Sequence, residues 1–399
     1  MKRKKDILFL CQYFYPENNS SATLPFDTAC ALAAEGFSIS VLCGKPKEYV
    51  VKRDAPSREI VEGISIHRVG YFQANRRTRV GRIVNFFSFT LRTLFCLPEI
   101  RNHRLIIVYS NPPILPVSAV LANKLFGNKF VFISYDVYPE IALKMDSIRK
   151  GGFIDRVMTR INRQVFRRAT AVVALSDEMQ TTLLRLRPEL EKERTFVLPN
   201  WAHEVIQPGK KKDSGPLTVG YFGNLGVVQD TETLLSAIDR LRSDCRIQFR
   251  IVGHGSKLQS FMERMKDNPN VSVEKFMTGE DFQKALSDCD CCIVSLQNGL
   301  NGLCMPSKYY SYLQAGAAVI SIMDPDSELS QEVIRERIGA AITPGNTDQL
   351  FEVLTGMADD REAVREAGMR AAILYQTRYH RNLALRRYTS VIKSIMEDV

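Results

Sequence analysis

Residues 219–238 read VGYFGNLGVVQDTETLLSAI: an apolar run, a turn holding Gly223 and Gly226, then a segment whose apolar residues recur at helical spacing. The same order returns in FRIVGHGS (249–256) and in GLCMPSKYYSYLQAGAAVIS (302–321). A strand, a glycine turn and a helix, repeated, is the grammar of a parallel doubly wound sheet. It also predicts an anion site, because helix N-termini and close backbone amides bind phosphate, and a diphosphate is the natural candidate.

Outward from this core, LTVGYFG, IQFRIVG, VSVEKF, CDCCIVSL, AAVISI and AAITP read as successive strands, and the chain from about Asp360 reads as helix. On the N-terminal side, AHEVIQPGKKKDSGP (202–216) breaks the rhythm with Gly, Pro and three lysines, as a linker does. Before it lies a second α/β series. It opens with the strand DILFLC (6–11), a polar turn PENNSSATLPF, a helix over Asp27–Glu35 ending at Gly36, and the strand FSISVLCG, and it continues through LIIVYSNPP, KFVFISYD, ATAVVALS and RTFVLPN. The expected organisation is a first domain over 1–205, a linker over 206–216, a second domain over 217–375 and a terminal helix over 376–399. Two such α/β domains imply a cleft lined by the carboxyl ends of their strands.

Composition narrows the class. The 399 residues, 45% hydrophobic, suffice for two buried cores and exclude a disordered or fibrous chain. Nine cysteines, mostly in apolar segments and with the Cys289/Cys291/Cys292 cluster in a strand-like run without a nearby histidine, read as buried reduced thiols rather than a metal or redox site, which suits a reducing compartment. MKRKK is followed by an apolar run only a strand long and no cleavage site, so a signal peptide is not expected and the cytoplasm is. No apolar stretch approaches the ~18 residues of a spanning helix. The net charge of +10 calls for an anionic partner. Part of it sits in NRRTRVGR (75–82), just before the aromatic IVNFFSFTLRTLFCLPEI, so Arg76 to Leu97 is a candidate contact with an anionic inner-membrane surface. A core helix with a solvated basic face is the plainer alternative, there and for Arg156, Arg160, Arg163, Arg167 and Arg168 on a second segment. Nucleic acid is not expected, since no recognisable nucleic-acid motif accompanies the charge.

Single residues follow from the turns. Gly223, Asn224 and Gly226 allow the backbone to approach a ligand, although glycines also serve plain turns. Gly253 and Gly255 form a weak GxG that a ligand-free turn explains equally well, and His254 between them reads as a supporting or surface histidine. Met305, Pro306, Ser307 and Lys308 begin a helix, with Pro306 in its first turn and Lys308 offering a point charge to phosphate. In the first domain, Asp136 and Glu140 of YDVYPE follow the strand KFVFIS, where carboxylates orient hydroxyls, act as acid or base, or cap helices. Asp288-Cys289-Asp290 sits at a strand start and reads as structural, so no metal is expected.

Taken in order, YFYPENNSSAT, YDVYPE, VVALSDEM, LPNW, VGYFGNLG, RIVGHGS and PSKYYSYLQAG resemble the retaining GT-B glycosyltransferases of the large family 4, over essentially the whole chain. Within that family the resemblance is nearest to the branch of WbuB-like N-acetyl-fucosamine transferases of bacterial polysaccharide assembly. It implies two Rossmann-like domains facing a cleft and a terminal helix crossing back to the first. The second domain would hold a nucleotide-diphosphate sugar, with Gly223, Asn224 and Gly226 near the diphosphate or sugar, Lys308 on phosphate, and Gly253, Gly255 and the 273–277 segment flanking the base. The first domain would take the acceptor, a lipid-linked saccharide, with Asp136 positioning or deprotonating it. The chain departs from the family at Leu303 and Ser311, where two glutamates are common, and at Gln229, where a basic residue is common. Backbone amides over 302–305 and Glu328 are the expected substitutes in gripping sugar and ribose. A nucleotide-sugar epimerase of the same architecture and a catalytically silent binding subunit are the alternatives. A dehydrogenase is not, because QYFYP (12–16) stands where a GxGxxG would follow the first strand.

Overall fold

A computed structural model describes residues 5–46, 55–75, 78–209 and 215–397. The chain forms two compact units: one of residues 1–199, 302–305 and 382–399, the other of residues 200–301 and 306–381.

Among the described residues, unit one carries an eight-stranded sheet. Its strands are β1 (Lys5–Leu10), β2 (Ile39–Gly44), β3 (Arg58–Val61), β4 (Ile64–Val69), β5 (His103–Tyr109), β6 (Lys129–Ile133), β7 (Ala171–Ala174) and β8 (Thr195–Val197). They lie in the order β3-β4-β2-β1-β5-β6-β7-β8, parallel throughout except for β3 against β4. Ile7–Leu10 and Leu105–Val108 are buried, as central strands covered on both faces must be. The antiparallel β3–β4 pair, absent from the sequence reading, turns through Glu62 and Gly63, both left-handed (φ 50° and 74°).

The first helix corrects the sequence reading. It runs Ser20–Ala34 rather than starting at Asp27, so SSATLPF belongs to it and not to a turn. Asn19 starts it: its carbonyl accepts from the amides of Ala22 and Thr23 and from the Thr23 hydroxyl at 2.7 Å. Pro25 lies inside and contributes no amide to the helical ladder. The last helix, Arg381–Glu397, packs within unit one from Asn382 onward, with Tyr388 Oη donating to the Leu198 carbonyl and Lys393 paired with Glu35. A π-turn, Tyr375–Tyr379, precedes it, so the helix starts five residues later than the 376 boundary read from sequence.

Among the described residues, unit two carries a six-stranded, all-parallel sheet: β9 (Leu217–Asn224), β10 (Ile247–His254), β11 (Val271–Lys275), β12 (Cys291–Ser295), β13 (Ala318–Ile322) and β14 (Gly339–Ile342). The order β11-β10-β9-β12-β13-β14 reverses direction at β9, with β10 on one side and β12 on the other. Such a switch point is where open α/β sheets bind ligands. The linker expected over 206–216 partly lies outside the described residues, at 210–214.

Candidate functional site

Unit two gathers its candidate residues at the carboxyl ends of β9 and β10. Gly223 pairs with Gly253 and Asn224 with His254, so both glycine turns leave the sheet side by side. Gly253 is bare for packing: a Cβ there would stand 2.0 Å from the Gly223 carbonyl oxygen. Gly223 is different, since its φ of +111° strains any other residue and its open side faces Lys308, whose Cε lies 3.6 Å from where a Cβ would be. The Tyr221 hydroxyl donates to the Asn224 carbonyl at 2.9 Å and closes the turn. Gln229 closes its far end, its Oε1 accepting from the Gly226 amide at 3.0 Å.

Lys308 is a buried ionisable group set against this loop. Its Nζ is shielded from solvent, lies 3.7 Å from the Tyr221 ring centroid and has no hydrogen-bond partner. Burial pushes its pKa down to about 7, against a small opposing effect of Cys292. His254 nearby is also held below its usual value, first by burial and then by Lys308. The Lys308 charge disfavours protonation of His254, and an incoming anion would oppose that effect.

The helix carrying Lys308 differs from the sequence reading. It spans Lys308–Gln314, so Pro306 and Ser307 precede it rather than forming its first turn, and at seven residues it offers little dipole of its own. A buried carboxylate fixes it instead. Glu332 accepts from Tyr309 Oη at 2.7 Å, from Tyr379 Oη at 2.9 Å and from Arg378 Nη1 at 2.7 Å, tying the Lys308 helix to the helix Glu328–Arg335 and to the π-turn. Glu328 itself is the first residue of that helix. Ser311 is buried with its hydroxyl unpartnered, and Leu303 is buried in unit one, so neither position supplies a carboxylate. Asp290 is a brace, accepting from the Thr218 amide at 2.8 Å and pairing with Arg361 at 2.8 Å.

In unit one, Asp136 follows β6, with its amide and that of Tyr135 donating to Ser110 Oγ at 3.1 and 2.9 Å. Residues 302–305, Met305 among them, belong to this unit: Asp136 forms an isolated bridge with Cys304, and Val137 N–H donates to the Leu303 carbonyl at 2.7 Å. The Asp136 carboxylate has no ion pair among the described residues, and burial pushes its pKa up to about 6. Glu140 has the opposite setting. Arg187 grips it with two bonds of 2.7 and 2.6 Å and also donates to the Tyr138 carbonyl, so the geometry makes Glu140 a brace.

The helix Arg79–Phe95 of unit one exposes Val80, Ile83, Phe87, Leu91 and Phe95 along one face while burying Phe89 and Thr93 on the other. Phe95 is 71% exposed, and Phe72 beside the helix is 68% exposed. Arg82 and Arg92 are exposed on the same helix, whereas Arg76 and Arg77 lie outside the described residues. On the second basic segment, the helix Phe153–Arg168, Arg163 pairs with Glu189 and Arg168 bonds Asn123, so part of that charge is engaged within the unit. Among the described residues, no helix is long and apolar enough to cross a membrane.

Sequence reasoning missed Lys257, whose Nζ donates to the Gln229 carbonyl at 3.2 Å, and the Glu332 knot. Lys257 stands one residue after the quoted GHGS, but its approach to the loop arises only when β9 and β10 lie side by side.

Comparison with known proteins agrees with this geometry. Residues 26–201 match the family profile described as a glycosyl transferase 4-like domain, and residues 216–360 the profile of glycosyl transferases group 1. WbjE of Pseudomonas aeruginosa, named as a glycosyltransferase, is 21% identical over 82% of the chain and 84% of its own length. WcaI of Escherichia coli K12, whose name assigns it to colanic acid biosynthesis as a glycosyl transferase, is 24% identical over 71% of the chain and 68% of its own. In fold, the chain resembles a sucrose-phosphate synthase from Thermosynechococcus elongatus (TM-score 0.76, 14% identity, covering 99% and 100% of the two chains). It also resembles Anabaena HepE, solved with UDP-glucose (TM-score 0.69, 14% identity, covering 98% and 99%).

Proposed function

The chain is a group 1 glycosyltransferase of GT-B architecture, and we propose that it is a retaining enzyme that moves a sugar from a nucleotide-diphosphate donor to a lipid-linked saccharide. Unit two takes the donor, a UDP-sugar by the analogy of HepE, and an N-acetylated deoxyhexosamine by the resemblance of the motifs to the WbuB-like branch. One observation carries the reading: a lysine ammonium shielded from water, with only the Tyr221 ring face beside it and no hydrogen-bond partner, stands against the open side of Gly223. A group so placed is costly until an anion meets it. As the glycosidic bond to the diphosphate breaks, negative charge grows on the leaving oxygen, and Lys308 stabilises that charge more than it stabilises the intact donor. The acceptor hydroxyl attacks the same face of the sugar, and Asp136, ionised above about pH 6, positions or deprotonates it. Lysine rather than a divalent metal meets the leaving charge, so turnover is expected to survive EDTA.

The acceptor reading comes from two supports. WcaI carries a polysaccharide-assembly name, and the Arg79–Phe95 helix pairs an exposed apolar stripe with exposed arginines. An anionic membrane surface matches both features, since the charges meet head groups while Phe87, Leu91 and Phe95 enter the acyl boundary. On this reading the enzyme works at the inner face of the cytoplasmic membrane, in O-antigen or capsule assembly.

The test is a screen of UDP-, GDP- and dTDP-sugars with a membrane glycolipid fraction, following nucleotide release and the anomeric configuration of the product by NMR. Retention of configuration is expected. Inversion would remove the mechanism, and a changed sugar with donor alone would point to an epimerase. Sedimentation with phosphatidylglycerol vesicles should be lost on Phe87→Glu with Leu91→Glu, while binding of soluble donor persists; vesicle binding unchanged in the double variant would remove the membrane contact.

A further inference from the structure

We propose that Lys257 is a second cation for the donor's diphosphate, acting from the far end of the Gly223–Gln229 loop; this rests on reading unit two as the donor-binding unit. A nucleotide-diphosphate sugar carries about two negative charges, and the departing nucleoside diphosphate about three at neutral pH. Lys308 alone undermatches that charge. At the other end of the loop, Gln229 offers no charge and its Oε1 is committed to the Gly226 amide. Asp230, next in sequence, is turned onto the Glu232 and Thr233 amides and the Thr233 hydroxyl, so it neutralises nothing in the loop.

Lys257 fills this position from a different element. Its amide donates to the Leu225 carbonyl at 2.9 Å, which pins its backbone to the loop, and its Nζ donates to the Gln229 carbonyl at 3.2 Å. It has no carboxylate partner among the described residues, so its charge is uncompensated and two ammonium protons remain for an anion. Gln297 Nε2 also donates to the same carbonyl at 3.2 Å, and its backbone amide donates to the Val228 carbonyl at 2.9 Å. The loop therefore keeps a support on Gln229 without Lys257, which leaves charge as the property that distinguishes the lysine.

The experiment measures binding of UDP, GDP and dTDP, and of the matching nucleosides, by calorimetry to the full chain and to Lys257→Gln and Lys257→Arg. Glutamine still donates to the Gln229 carbonyl but carries no charge; arginine keeps the charge. For the diphosphate that binds wild type tightest, Lys257→Gln should weaken binding about 10-fold or more with a shallower salt dependence, leave the nucleoside unchanged, and be rescued to within about 3-fold by Lys257→Arg. Equal affinity of wild type and Lys257→Gln for the diphosphate overturns the assignment, as does a parallel loss of diphosphate and nucleoside, which marks a loop brace. Wild type that binds none of the three diphosphates overturns the donor-unit reading itself, and this assignment with it.

Discussion

Asp136 in unit one and Lys308 in unit two are buried ionisable groups beyond a strand's carboxyl end with no ion pair among the described residues, and burial moves the two in opposite directions: Asp136 up to about 6 and Lys308 down to about 7. Each unit also holds a carboxylate of the other kind. Glu140 is gripped by Arg187, and Glu332 by two tyrosines and Arg378. Composition alone does not separate these acidic residues, yet their surroundings do. A charge with its partners built in holds the fold; a charge whose partner is missing from the protein awaits one from outside.

The sharpest way to break that contrast is Lys308→Met. Turnover measured as kcat/KM should fall by about 10²–10³-fold, the cost of losing one preorganised charge on a leaving group. Next comes Glu140→Ala, which strands the Arg187 guanidinium and should cost about 3 kcal/mol in chemical denaturation while specific activity of the folded fraction stays near wild type. A smaller effect is expected from Asp136→Asn: a loss of about 10²-fold in kcat/KM, with the disappearance of the acidic limb that wild type shows as activity rises through about pH 6. If Glu140→Ala proved stable and inactive, the two classes of carboxylate would have to be exchanged.

The subtlest prediction concerns stability. The folded pKa of Lys308 lies below its unfolded value, so the unfolded chain binds more protons between about pH 7 and the ordinary lysine range, and this group's penalty grows as pH falls towards 7. For Asp136, whose folded pKa is raised, stability falls as pH rises from the ordinary carboxyl range through about 6. Both penalties are present at neutral pH. Lys308→Met and Asp136→Asn should therefore each raise the Tm of the ligand-free protein by about 2–4 °C, the equivalent of ~1 kcal/mol, while lowering activity. A fall in Tm for both would mean that these side chains brace the fold after all.

The parallel strands of both units were legible because they are short, apolar and followed by glycine turns, as in VGYFGN and RIVGHG. The start of the first helix was not, because SSATLP carries turn-forming residues and a proline, and only the Asn19 carbonyl organises it. The start of the Lys308 helix is obscured for a related reason: Pro306 suits a first helical turn, but the chain at 302–305 is bound to unit one before the helix begins. Lys257 and Glu332 escaped notice since their roles depend on neighbours distant in sequence. Gln229 lies 28 residues from Lys257, and Tyr379 47 from Glu332.

Gly253 has a consequence for anyone who scores this chain by saturation mutagenesis. Its Cα sits where even a methyl group would collide with the neighbouring strand's carbonyl oxygen, so every substitution there should wedge β10 away from β9 and register as loss of function. Gly223 would score equally badly for its left-handed backbone, although it alone opens towards the lysine. Intolerance at these two paired positions would thus be identical in the data and different in origin, and only ligand binding by the surviving folded protein would tell which glycine speaks for chemistry.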